Sequence, residues 1–176
     1  MSISNSERHP PLWVLISALL ALVLTVNGLL FNAYRQRNMQ GYLAAFIDKE
    51  SLLENTSAPR IILVGGSSVA FGYDSHTLRE QFGMPVINMG LQGGLGVRFQ
   101  LESLKPYLAQ GDILILSPEY HNLHTLLENG DLLTQMLITY PRGVRYLSSG
   151  HEIIKITRSL PSVHTNAIRN MVEDYY

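Results

Sequence analysis

The sequence predicts an α/β domain, a parallel sheet flanked by helices in three layers, carried behind one N-terminal transmembrane helix. Three observations carry this reading. Residues 61–64 (IILV) and 113–116 (ILIL) are unbroken apolar runs followed at once by Gly or Ser, the pattern of strands covered on both faces. Helix-period segments lie between such runs, so strand and helix alternate as they do in parallel sheets. Leu12 to Tyr34 holds no charged residue, and about 20 mostly apolar residues suffice for a helix to cross the hydrocarbon core.

A chain of 176 residues has room for one domain of ordinary size. Its net charge of −1 offers no basic surface for nucleic acid and no acidic excess of the kind that keeps chains disordered. Hydrophobic content is 46% against 15% charged, and the Leu12–Tyr34 segment accounts for much of that imbalance. Trp13 and Tyr34 stand near its ends, where amphipathic rings prefer the membrane interface. A cleaved signal peptide would have a shorter apolar core, roughly 7 to 15 residues, and a small-residue cleavage site; an uncleaved anchor fits better. Arg8 precedes the segment while Arg35 and Arg37 follow it, so the positive-inside count favours a cytoplasmic C-terminal part. With no cysteine, a disulfide framework and a thiolate metal site are both excluded.

Residues 1–11 form an N-terminal tail and 12–34 the membrane helix. Residues 35–57 are expected as a juxtamembrane spacer, helical from Arg35 to Asn55, with Tyr42, Phe46, Ile47 and Leu53 near one face. The polar break NTSAPR leads into the α/β domain at residues 58–176. Asp74 or Ser75 can cap a helix that runs to Phe82, and Gly83 suits its end. Val86 to Asn88 is a short second strand. Val97, Leu101, Leu104 and Leu108 mark one face of a helix, and Gly111-Asp112 turns the chain into the run at 113–116. From Glu128 the pattern is helical in pieces, broken at Pro141-Arg142-Gly143, Ser148-Ser149-Gly150 and Pro161.

Sites in parallel sheets form in the loops beyond the carboxyl ends of strands. Three loops qualify: Gly65 to Gly72, Met89 to Gly96, and Ser117 to His124. In the first, Ser67 follows a strand and Gly65-Gly66. A serine hydroxyl needs a base to become a nucleophile, and its oxyanion product needs aligned N–H donors; a plain polar turn is the other reading. The second loop, with Gly90, Gly93, Gly94 and Gly96, lacks the third glycine and the placement of a dinucleotide fingerprint. It has no Gly-Lys-Ser/Thr either. Bare N–H donors remain its available chemistry. The third loop, SPEYHNLH, holds Glu119, His121, Asn122 and His124, any of which can serve as a polar partner. Glu119-x-His121 has no third ligand to make a metal site.

Together the three loops resemble the SGNH/GDSL hydrolase superfamily, most closely its membrane-anchored bacterial branch linked to cell-envelope polysaccharides. Val64-Gly65-Gly66-Ser67-Ser68 stands for the Gly-Asp-Ser block, with Gly66 in place of Asp. Asn88-Met89-Gly90-Leu91-Gln92-Gly93 resembles the Asn-x-x-x-x-Gly block. The third block, Gly-x-Asn-Asp, has no match in Ser117-Pro118-Glu119-Tyr120, and no Asp-x-x-His follows. The resemblance implies Ser67 as nucleophile, Ser67 and Gly93 as oxyanion N–H donors, and Asn122 as a displaced third donor. His121 or His124 would be the base, and no cofactor is implied. It further implies a single-pass inner-membrane protein with an exported domain, acting on acyl esters, chiefly acetyl, of an envelope glycan. The departures imply either a domain incomplete at its C-terminus or a lost triad. In the second case the chain is an accessory that binds a glycan or a partner membrane acyltransferase. A structural membrane component whose serines form only a turn is the remaining alternative.

Overall fold

The computed structural model describes residues 10–120, 122 and 128–173. Helix α1 (Leu12–Asn38) is followed by a tight turn at Tyr42–Ala44, α2 (Ala45–Asn55), β1 (Ile61–Gly65), α3 (Ser67–Gly72) and α4 (Ser75–Phe82). Then come β2 (Val86–Asn88), α5 (Val97–Leu104), β3 (Ile113–Ser117), α6 (Gly130–Thr139) and α7 (Gly150–Glu173). The chain is mostly helical around a three-stranded sheet of order β2-β1-β3. Both pairings are parallel, with Ile61 opposite Val86 on one side and Ile113 on the other.

Strand β1 sits in the middle because every side chain on it is apolar, so both faces gain from cover. Ile62 and Val64 enter the main core with Phe46, Leu53, Phe99, Leu133 and Tyr146. Ile61 and Leu63 pack on the opposite face with Val69 and Leu78. The expected spacer is corrected here. Helix α1 runs on to Asn38, the chain turns, and α2 supplies Phe46 and Leu53 to the main core. The apolar face at Tyr42, Phe46 and Leu53 is therefore a packing face within the domain. Helix α4 forms where expected: the Asp74 carboxylate accepts the His76 N–H at 2.9 Å, and Gly83 ends the helix at φ 65°, a left-handed position that glycine adopts at least cost.

Two expectations fail. Strand β3 is left open among the described residues: Ile113, Leu114, Ile115 and Leu116 are 48%, 39%, 43% and 41% exposed. It is one of the two edge strands of the described sheet, and an apolar edge of this kind is a template for pairing with another strand. An unbroken apolar run does not say whether anything lies over it. The second failure is at Pro161, which lies inside α7 without ending it. The helix begins instead with strong local chemistry. Glu152 is fully buried, its Oε2 accepts the N–H groups of Ser148 and Ser149 at 2.8 Å each, and Ser149 Oγ accepts the His151 N–H. The Glu152 bond to the Ser149 N–H is the acidic half of a capping box, while Ser149 Oγ takes the N–H one residue earlier than that motif does.

Helix α1 is long and apolar enough to cross a membrane, and no residue of its most apolar window is buried. Farther along, Glu50 ties α2 to the turn after α6. Its carboxylate accepts the hydroxyls of Tyr140 and Tyr146 and pairs with Arg145 at 3.0 Å. Burial works to raise the Glu50 pKa, but these donors together hold it below the usual carboxylate range. Burial first, then the Glu50 carboxylate, pushes Tyr140 up to about 12.

The folded-state value of Glu50 is depressed, so its contribution to stability is full above the ordinary carboxylate pKa near 4.3. That contribution is lost as pH falls through that range toward the folded value. Chemical denaturation across pH should show this loss in the wild type and a smaller one in Glu50→Gln. At neutral pH, Glu50→Ala should cost roughly 1–3 kcal/mol by stranding two buried hydroxyls.

Candidate functional site

In a sheet of order β2-β1-β3 the chain leaves β1 toward β2 and later returns to the other side as β3. The crevice between the ends of β1 and β3 is thus a topological switch point, where ligands bind in open α/β sheets. Ser67 lies just beyond β1 and Glu119 just beyond β3. Their juxtaposition follows from the strand order alone.

The approach is close, and glycines make it so. A Cβ on Gly65 would lie 2.3 Å from the Ser117 carbonyl oxygen, so β1 and the end of β3 meet there only because position 65 has no side chain. A Cβ on Gly66 would lie 2.1 Å from Glu119 Oε1, and one on Gly93 would lie 2.4 Å from Glu119 Oε2. The Glu119 carboxylate therefore rests between the first and second loops. Ser67 opens α3 with its hydroxyl exposed. Its backbone N–H donates to Glu119 Oε1 at 2.8 Å, and its hydroxyl donates to the same oxygen at 3.0 Å. Hydrogen bonds to an ionised acceptor are about twice as strong as neutral ones.

The second loop is held by its own side chains. Asn88 Nδ2 donates to the Val69 carbonyl at 2.9 Å, while its Oδ1 accepts the Gly90 N–H at 2.9 Å. This clamps the loop after β2 against α3. Gly90 again has no room for a Cβ, which would fall 2.4 Å from the Ala70 nitrogen. Tyr42, stacked on Phe71 with ring centroids 5.3 Å apart, donates its hydroxyl to the Leu91 carbonyl. Burial, and after it the charge of Glu119, raises the Tyr42 pKa, so its phenol stays protonated as a donor.

Of the residues expected to make the site, Ser67 and Gly93 are brought together on the Glu119 carboxylate. Asn122 is adjacent but differently used. It is 2% exposed and donates Nδ2 to the Gly93 carbonyl at 3.0 Å. With one of its two N–H groups that amide holds the Gly93 loop. The Asn122 backbone N–H donates to the Glu119 carbonyl at 2.8 Å, and its side-chain Oδ1 is buried without a partner among the described residues. His121 and His124 lie outside the described residues. Glu119, named from sequence only as one polar partner among four, is the group that joins the loops. The signal for it was positional: it is the first ionisable side chain after a strand that neighbours β1.

The cleft over this junction has a volume of about 450 Å³ and is lined by Ser67, Gln92, Gly93, Glu119, Asp131 and Gln135, among others. Among the described residues no group of three or more His, Asp or Glu is arranged to hold a metal ion. Comparison with family models, with curated proteins and with solved structures returned no match.

The two neighbouring glycines should answer substitution differently. Gly65→Ala forces a Cβ into backbone and should lower stability by about 1–3 kcal/mol or more. Gly66→Ala meets only the end of a flexible side chain, so thermal melts should show a smaller loss while Glu119 moves off Ser67.

Proposed function

We propose that this chain is a membrane-anchored serine esterase or acyltransferase of the SGNH/GDSL-like type. Its cleft would handle acyl esters, chiefly acetyl, of a cell-envelope polysaccharide, with the domain on the extracytoplasmic side of the inner membrane. The observation that carries the reading is the convergence of the Ser67 hydroxyl, the Ser67 N–H and Gly93 on one carboxylate at the floor of an open cleft. A carboxylate is planar and negatively charged. A position that accepts it beside a serine hydroxyl suits the oxyanion of acyl transfer. Ser117-Pro118-Glu119 also puts Glu119 at the rank where Gly-x-Asn-Asp has its asparagine.

In this reaction Ser67 Oγ attacks the ester carbonyl carbon, and the carbonyl π pair moves onto oxygen. The hydroxyl proton passes to Glu119 Oε1, which already accepts it at 3.0 Å. The carbonyl oxygen takes over the Ser67 N–H that Glu119 holds in the resting protein. Collapse expels the sugar alkoxide, which takes the proton from Glu119 and leaves an acyl-serine. Water completes hydrolysis, or a second hydroxyl completes transfer. Gly93, Asn88 and Asn122 position the second loop and do not exchange protons.

One observation favours a second reading, a non-catalytic accessory that binds a glycan or a membrane acyltransferase. Glu119 Oε1 occupies the Ser67 N–H that an oxyanion would need. Hydrolysis of p-nitrophenyl acetate by the full chain in detergent separates the two. The enzyme reading expects Ser67→Ala to abolish the rate above background and Glu119→Gln to lower it by about 10²-fold or more. Equal rates for wild type and Ser67→Ala would remove the enzyme reading. If wild type is inert and Glu119→Gln newly reacts with a fluorophosphonate at Ser67, Glu119 is a plug and the accessory reading stands.

A further inference from the structure

The last turns of α1 do not stand clear of the domain. Tyr34 is buried with Val163 and Ala167 of α7, and Ile138 of α6 packs against them. Arg37 donates Nη1 to the Asn170 carbonyl at 3.0 Å. Beside this contact a groove of about 90 Å³ opens between Leu30 and Phe31 of α1 and Leu160 and Ile168 of α7. Phe31, Leu160 and Ile168 are 54%, 50% and 39% exposed. Among the described residues α7 meets α1 here, and the more apolar part of α1 before it is unburied.

We propose that this face of α7 lies in the acyl–headgroup boundary of the lipid bilayer. The inference rests on α1 as a membrane span. From Leu12 to Tyr34, at 1.5 Å per residue, α1 covers about 34 Å, close to the roughly 30 Å of a hydrocarbon core. Leu30 to Tyr34 then falls at the end of that core, so whatever packs on them sits at the boundary. Helix α7 meets them with apolar side chains turned outward, and its exposed Arg158 and Arg169 supply the cations of an interfacial helix. Bilayer lipid is the occupant that the continuity with α1 requires. A folded partner would have to displace lipid from the flank of the span itself.

Helix α6 then acts as a ruler. Asp131 and Gln135 line the Ser67 cleft and Ile138 lines the groove. Asp131 and Ile138 are seven residues apart on one helix, about 10 Å. Whatever the tilt of the domain, the cleft lies within that distance, plus side-chain length, of the lipid boundary. If the cleft transfers acyl groups as proposed above, its substrate arrives attached to the membrane, on a lipid carrier or on a membrane protein.

The chain has no cysteine, so single-cysteine variants can carry an environment-sensitive dye. Full-length protein would be placed in nanodiscs of phosphatidylcholine and phosphatidylglycerol, with and without brominated acyl chains. Dyes at Leu160→Cys and Ile168→Cys should be quenched about twofold or more, as expected for an apolar helix face set in the boundary. A dye at Phe82→Cys, at the far end of α4, should not change, and one at Leu22→Cys in α1 should be quenched. Quenching at Leu22 with neither α7 site above Phe82 would overturn the inference and leave the span intact. Quenching at none of the four would overturn the span as well. Neither outcome depends on ester hydrolysis.

Discussion

The carboxylate of Glu119 is the tie on which the candidate site depends. It stands beyond the edge strand β3 and takes two hydrogen bonds from Ser67, which stands beyond the central strand β1. The contact is possible only because positions 66 and 93 have no Cβ, and it exists only because the strand order brings β3 against β1. Topology, two glycines and one charge thus fix the placement of the serine hydroxyl in the cleft.

The same contact explains why two functional readings follow from one geometry. A carboxylate that accepts the Ser67 hydroxyl proton is a base in waiting. A carboxylate that holds the Ser67 N–H is also a competitor for the oxyanion donor. Which role dominates turns on whether an ester carbonyl can replace one oxygen of Glu119 without losing the other contact, a balance of a single charge-assisted hydrogen bond, on the order of 1.5–3 kcal/mol.

Local chemistry was the legible part of the sequence. The apolar runs at 61–64 and 113–116, the Asp74 cap and Gly83 stop, and the glycine loop after Val86–Asn88 each declare themselves in a few residues, and each element forms there. Ser67 was singled out by its position after a strand, and Gly93 through the resemblance of Asn88 to Gly93 to the Asn-x-x-x-x-Gly block. What was not legible depended on partners far along the chain. The face of α2 looked like a spacer because Tyr140, Tyr146 and Phe99, which pack around it, lie about fifty residues or more downstream. The bare faces of β3 could not be told from covered ones, since apolarity records a need for burial and not its fulfilment. Asn122 was named as a donor by residue type alone, and the partner its amide meets, the Gly93 carbonyl, lies on another loop that the sequence does not point to. Pro161 marked a break that packing of α7 against α6 and α1 overrides.

The most direct measurement on this arrangement is the amide proton resonance of Ser67 in selectively ¹⁵N-labelled protein, compared between wild type and Glu119→Gln. A hydrogen bond to a carboxylate places that proton downfield and slows its exchange, and the variant should move it upfield and speed exchange. A Ser67 amide that exchanges freely in the wild type and does not shift in the variant would mean that the two loops are not joined, and the site as described would not exist.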